Sequence, residues 1–223
     1  LRNIYEQHIL EGMTLSCNDN GRGYLDLDNY DKIMEKVEWA DSLVIGPGLG
    51  LEQDTISLVT KLVDTVDKPV VLDADGLASF NDLNRPKANL IITPHLGEFS
   101  KIINMRKEIL LNDYVQIVKN FLADFAGVAV IKHVPACIIN GQKISLNSTG
   151  NSGLATAGSG DVLSGVIASF ISQNMDSYDA CRLSSYFHGL AADNQIKYKG
   201  IRGLIASDLP LEIAKVINEY ENL

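Results

Sequence analysis

Leu43-Val44-Ile45-Gly46-Pro47-Gly48-Leu49-Gly50 sets a three-residue apolar run directly against a turn of glycines. The run is too short for a helix and does not alternate, which is the pattern of a strand covered on both faces. The same pattern recurs along the chain. Val70-Val71-Leu72 runs into Asp73-Ala74-Asp75-Gly76, Leu90-Ile91-Ile92 into Thr93-Pro94-His95, and Val128-Ala129-Val130-Ile131 into Lys132. Apolar residues at helical spacing fill the intervals. Tyr30, Ile33, Met34 and Val37 form a stripe over 29–40, with Asp28 as the expected N-cap. Ile56, Val59 and Val63 do so over 51–66, and Tyr114, Val118, Phe121, Leu122 and Phe125 over 112–125. Residues 161–173 are apolar on nearly every side, which predicts a buried central helix. Asn140-Gly141, between short apolar runs at 136–139 and 144–146, marks a hairpin. Helices over 183–196 and 208–220 complete the chain, with Ser207 or Asp208 as the cap of the second. Strands alternating with helices predict a three-layer α/β/α fold around a mostly parallel sheet. With no linker or repeat in view, 1–223 is read as one domain.

Composition agrees with a globular chain. Of 223 residues, 46% are hydrophobic and 21% charged, which excludes a disordered or fibrous chain. The net charge of −9 sets the surface against phosphate backbones, so no nucleic acid and no membrane partner is expected. A small anion remains possible, because backbone N–H groups can hold one inside an acidic protein. Cys17, Cys137 and Cys181 are odd in number and far apart, so neither a disulfide framework nor a zinc site is expected, and a reducing, cytoplasmic setting fits them. The first residue, Leu1, is not methionine.

In such folds ligands lie beyond the carboxyl ends of the strands. The glycines after 45, Asp73, Asp75, His95 and Lys132 all fall there. The densest signal is Gly150-Asn151-Ser152-Gly153-Leu154-Ala155-Thr156-Ala157-Gly158-Ser159-Gly160-Asp161. Its small residues leave N–H groups uncovered just before an apolar helix, whose start carries roughly half a positive charge. Asp161, in the first turn, is placed to take a proton from a substrate hydroxyl. Gly46-Pro47-Gly48-Leu49-Gly50 lacks the third glycine of a dinucleotide-binding turn, since Leu51 stands in its place, and is either a tight turn or a close approach for a ligand. His95 and Glu98 read either as capping and solvated residues or as a ligand contact with a hydrated Mg²⁺. Asp73 and Asp75 read either as turn residues or as polar contacts. Lys132 is either a snorkelling lysine or a phosphate contact. His8 and His188 have no local support and are taken as structural.

Four stretches, in order, carry a resemblance: 44–50, Leu72-Asp73-Ala74-Asp75, Thr93-Pro94-His95-Leu96-Gly97-Glu98 and 150–165. They look like those of the ADP/ATP-dependent NAD(P)H-hydrate dehydratases of the ribokinase-like superfamily. His188-Gly189-Leu190-Ala191-Ala192-Asp193 and Gly203-Leu204-Ile205-Ala206-Ser207-Asp208-Leu209 extend the match, which runs from about Asp41 onward. The resemblance implies a ribokinase-like fold and repair of hydrated NADH or NADPH. The ring hydroxyl is phosphorylated from ADP or ATP, with ADP the typical donor of the bacterial branch, and phosphate is then eliminated. It implies Asp161 as base and hydrate contact, with Gly48 and His95 also touching the hydrated cofactor. It implies Lys132, His133, Val134, Pro135, Ala136, Asn151, Gly158, Ser159 and Gly160 around the nucleotide, and Glu98 organising Mg²⁺ through water. A homo-oligomer, specifically a tetramer, is also implied. The chain departs from the family pattern in two places. His133-Val134-Pro135-Ala136 is less glycine-rich than many relatives, and relatives begin with a further β-α unit, so the fold is expected to lack that unit.

Two other functions use the same residues. A ribokinase-like kinase of a small alcohol, such as a vitamin precursor, would need the same base. A nucleotide-binding protein that has lost activity is the third reading; the expected lack of the first β-α unit supports it, and an intact Asp161 and Gly158-Ser159-Gly160 argue against it.

Overall fold

The computed structural model describes residues 2–9, 11–84, 88–141 and 143–222, with the Arg2 and Leu122 side chains outside the description. Leu1 therefore lies outside the described residues, as does the contribution of Leu122 to its stripe. Among the described residues the sheet has six strands in sequential order: β1 Leu43–Ile45, β2 Val70–Leu72, β3 Leu90–Ile92, β4 Val128–Ile131, β5 Cys137–Asn140 and β6 Lys143–Leu146. The first four run parallel, and the last two return antiparallel as the expected hairpin.

Alternation along each strand assigns its side chains to two layers. Val70, Leu72, Leu90, Ile92, Ala129 and Ile131 face one core with helix α3 (Gln53–Thr65) and Val37 of helix α2 (Tyr30–Trp39). Val71, Ile91, Val128, Val130 and Ile138 face the other, under helices α7 (Ser159–Ser172) and α8 (Ser177–Lys199). Helix α9 (Leu209–Glu221) packs outside α8 through Leu209, Ile213 and Val216. The architecture is the three-layer α/β/α arrangement that the doubly buried strands demand. No helix among the described residues is long and apolar enough to cross a membrane.

Several boundaries differ from the sequence reading. Asp28 is not the cap of α2. The Asp26 carboxylate accepts the Asp28 N–H and opens a 3₁₀ turn, Leu27–Asn29, ahead of that helix. Asn29 then exchanges hydrogen bonds with the Asn18 backbone. The helix expected over 112–125 is present as Tyr114–Asp124, and a further short helix not expected from sequence, Lys107–Asn112, precedes it, the two separated where Asp113 leaves helical geometry at φ −136°, ψ 43°. Helix α8 starts earlier than expected because Asp176 accepts the N–H groups of Tyr178 and Asp179. Asp208 stands ahead of α9, but its carboxylate accepts the Ile205 N–H and pairs with Lys199 rather than capping the helix.

Candidate functional site

Parallel pairing continues one residue past the strands and brings their carboxyl ends into line. Asp73 N–H donates to Ile45 O at 3.0 Å, Thr93 N–H to Leu72 O at 3.2 Å, and Lys132 N–H to Pro94 O at 2.7 Å. Alternation then fixes direction. Asp73, Thr93 and Lys132 lie two residues beyond Val71, Ile91 and Val130, which all face α7. Three polar side chains therefore meet beneath the start of that helix.

Asp73 is the centre of this group, with a side chain only 1% exposed. Its Oδ1 accepts from Lys132 Nζ at 2.9 Å and from the Ala74 N–H at 2.8 Å. Its Oδ2 accepts from Ser164 Oγ at 2.6 Å, and Thr93 Oγ1 lies 3.4 Å from that hydroxyl. Burial pushes the Asp73 pKa up, but the Lys132 charge, the Ser164 hydroxyl and the other donors outweigh it and hold the carboxyl below its ordinary value. Ser164 and Thr93 were not singled out from sequence. The extension of strand alternation by one step is the signal that could have found Thr93.

Helix α7 begins at the glycine-rich turn. Gly158, at φ +85°, is the N-cap residue, and the Ser159 hydroxyl donates to Leu154 O at 2.6 Å. In the first turn the Ser159 N–H donates back to Thr156 O at 3.4 Å, while the Gly160 and Asp161 N–H groups have no intrahelical partner. Gly160 lies directly over the ion pair, since a Cβ there would sit 3.3 Å from Lys132 Nζ and 3.9 Å from Asp73 Oδ2. Asp161 is exposed in the same turn. A helix start with a cation beneath it is suited to an anion, with a free carboxylate beside it.

His188, on α8, is buried against this turn and donates from Nε2 to Ser159 O at 2.9 Å. Burial pushes its pKa down to about 4, the Ser159 carbonyl works the other way, and the Lys132 charge adds to the depression. The ring is therefore neutral at pH 7. The lead-in to the turn is held by α8 as well. Thr149 Oγ1 donates to Tyr186 O at 2.8 Å, and Asp193 accepts the Gly150 N–H and the Asn151 amide, both at 2.8 Å. Asn151 Oδ1 accepts the Gly153 N–H at 2.9 Å, so its side chain shapes the loop. Helix α8 can approach this closely only because residue 189 is glycine. A Cβ there would lie 2.3 Å from Thr149 Oγ1 and 2.7 Å from its carbonyl carbon.

The remaining candidates border the same strand ends. His95 caps the short helix Leu96–Ile102, accepting at Nδ1 from Gly97 N–H at 3.0 Å and Glu98 N–H at 3.1 Å. Glu98 Oε2 returns the bond from His95 N–H at 2.7 Å. The capping reading of this pair is the one present, and the exposed His95 ring still borders the site because 95 and 132 pair as a parallel bridge. Gly46 fits at φ +141°, where any Cβ would fall 1.6 Å from Asp73 O. That contact clamps the 46–50 turn, with Gly48 in it, onto the loop after β2, and Gly50 N–H donates to Asp75 Oδ2 at 2.9 Å. Beyond Lys132, His133 packs edge-on to Tyr114 at 5.8 Å, Val134 is exposed, and Val134–Pro135 is a cis peptide. Ala136 O accepts the Asn147 N–H at 2.8 Å, which ties this loop to the lead-in.

The family model for the NAD(P)H-hydrate dehydratases matches residues 9–215. The chain belongs to this family. It is 34% identical over 215 residues to the bifunctional NAD(P)H-hydrate repair enzyme of Moorella thermoacetica, covering 94% of this chain and 40% of that one. It is 33% identical over 189 residues to the Escherichia coli enzyme of the same name, covering 84% and 36%. The chain thus spans about two fifths of the length of these curated relatives. Among solved structures, the ADP/ATP-dependent NAD(P)H-hydrate dehydratase of Bacillus subtilis, co-crystallised with ATP and Mg²⁺, superposes with a TM-score of 0.71 at 27% identity. That match covers 83% of this chain and 69% of the Bacillus chain. A hypothetical protein of Streptococcus mutans at 22% identity shares the fold, with a TM-score of 0.82 over 98% of this chain and 76% of its own. The family resemblance and the α/β fold with its mostly parallel sheet, as expected from sequence, are thereby established.

Proposed function

We propose that this chain, read as one domain over 1–223, restores hydrated NADH or NADPH using ADP or ATP. The observation that carries the proposal is the exposed Asp161 carboxylate on a glycine-lined helix start, directly above the Lys132–Asp73 pair. Asp161 takes the proton of the ring hydroxyl, and that oxygen forms a bond to the terminal phosphorus as the bond to the nucleotide breaks. The N–H groups of the first turn and the Lys132 ammonium stabilise charge on the phosphoryl oxygens. Phosphate then leaves with the electron pair of its C–O bond as the ring gives up a proton, which restores the reduced nicotinamide. Phosphate is a far better leaving group than hydroxide, which is the reason to phosphorylate first.

The hydrated cofactor is read against Gly48, His95 and Asp161. The nucleotide is read along Lys132, His133, Val134, Pro135 and Ala136 and at Gly158, Ser159 and Gly160, with Asn151 supporting the loop. The described residues contain no group of three acidic, histidine or cysteine side chains that would grip a bare metal ion. That donor set fits Mg²⁺ held mainly by nucleotide phosphates and water, with Glu98 reaching it through water. Bound there, Mg²⁺ would neutralise phosphate charge. The same reading places the protein in the cytoplasm as a homo-oligomer, a tetramer by family resemblance, with no nucleic acid or membrane partner.

The test mixes the protein with hydrated NADH, Mg²⁺ and ADP or ATP, and follows the reduced-nicotinamide absorbance together with phosphate release. Equal recovery of both supports the proposal. Phosphorylation of another small alcohol without recovery would favour a kinase, and nucleotide binding without either signal would favour an inactive binder.

A further inference from the structure

We propose that Asp73 is a positioning residue, which holds the Lys132 ammonium beneath the first turn of α7 so that the ammonium and the turn's N–H groups bind one anion. This inference rests on the reading of that turn as a phosphate site. Asp73 follows β2 and Lys132 follows β4, two strands away, a separation of roughly 10 Å at ordinary strand spacing. A lysine at a strand end extends into water when nothing holds it. Here it crosses over the end of β3 and is 25% exposed, with Nζ 2.9 Å from a carboxylate that is 1% exposed.

The carboxylate is closed to a ligand by burial, with 1% of its side chain exposed. Both oxygens are occupied, by Lys132, Ala74 N–H and Ser164 Oγ, and it faces protein on all sides. It is therefore not a ligand-contacting group, and its effect on a ligand passes through Lys132. The ammonium has the opposite character. One of its protons meets Asp73, its other side lies under Gly160, and part of it remains open. With no side chain at 160, the ammonium is spared the tight 3.3 Å contact a Cβ there would make. Ser164, one turn further along α7, ties the same carboxylate to the helix, so helix start, cation and carboxylate are fixed as one unit.

A pair that merely balanced charge would stabilise the fold without tuning the site, and the two cases separate experimentally. The full chain is labelled with ¹⁵N-lysine, and a slowly exchanging ammonium signal is assigned to Lys132 by its loss in Lys132→Met. That signal is expected to vanish in Asp73→Asn. ADP binding by calorimetry is expected to weaken roughly ten- to a hundredfold in either variant, the range for a lost bond to a charged group. The double variant should bind no more weakly than Lys132→Met. Asp73→Glu keeps the charge but moves it by one methylene, and serves if Asp73→Asn does not fold. It too should weaken ADP binding, whereas simple charge balance predicts no change. A persistent ammonium signal in Asp73→Asn or Asp73→Glu, or affinity unchanged within about twofold in a folded variant, would overturn the proposal. None of these readouts needs turnover. Failure to recover NADH therefore counts against the enzymatic reading alone, and the ammonium signal still decides the role of Asp73.

Discussion

His188 shows how one side chain couples this site to pH. Its pKa in the fold lies near 4, against an ordinary value of 6.5. Between those values the unfolded chain binds the proton and the folded chain does not, so stability rises with pH across that window and falls as pH drops through it. The difference is worth roughly 3 kcal/mol. Urea unfolding of the wild type should lose about that much between pH 6.5 and 4 relative to His188→Gln, which stays neutral and can still donate to the Ser159 carbonyl. Parallel curves for the two proteins would contradict the assignment. His188 is structural, as read from sequence, but its partner was not legible there, because that partner is a carbonyl 29 residues away. Asp161 and the 158–160 turn were legible because they announce themselves locally, as small residues ahead of an apolar helix. Asp73 stands between these cases. Its place after a buried strand was visible, but its pairing with Lys132 required the sheet order.

At the level of elements, α8 is a platform for the glycine-rich lead-in, and Gly189 sets the distance. A Cβ at 189 would meet backbone, 2.7 Å from the Thr149 carbonyl carbon and 2.8 Å from Gly150 N, so neither neighbour can swing away as a flexible side chain would. Gly189→Ala should cost about 1–3 kcal/mol by overpacking and displace the turn, raising the KM for nucleotide along with the loss of stability. Thermal unfolding and steady-state kinetics check both, and an unchanged KM would separate the helix from the site. Strands β2, β3 and β4 were readable because burial on both faces leaves an uninterrupted apolar run, whereas β1 has the same run although Val44 is exposed at the sheet edge. The start of α8 was not, since Asp176 caps a turn that reaches the core through Tyr178 and the small Ala180 and Cys181, with no run of large aliphatic residues to mark it. The short helix Lys107–Asn112 was also missed, because at six residues it is too short to show a helical stripe.

For the molecule as a whole, ligand binding should show as cooperative stabilisation, because the site joins β2, β3, β4, α7 and α8. ADP at about a hundred times its dissociation constant contributes roughly 2.7 kcal/mol. For a chain of 223 residues that corresponds to a rise in Tm of roughly 5–10 °C. A scanning-fluorimetry titration measures it, and an unmoved Tm with saturating ADP and ATP would remove the nucleotide site from the account. The family and its fold were readable from ordered motifs, while the arrangement that gives those motifs a mechanism came from sheet order and strand alternation. The most direct test of the central claim is Asp161→Asn, assayed for recovery of NADH from its hydrate and, separately, for ADP binding. The account predicts a loss of turnover of roughly 10²- to 10⁴-fold with ADP affinity retained. Turnover at the wild-type rate in that variant would contradict it.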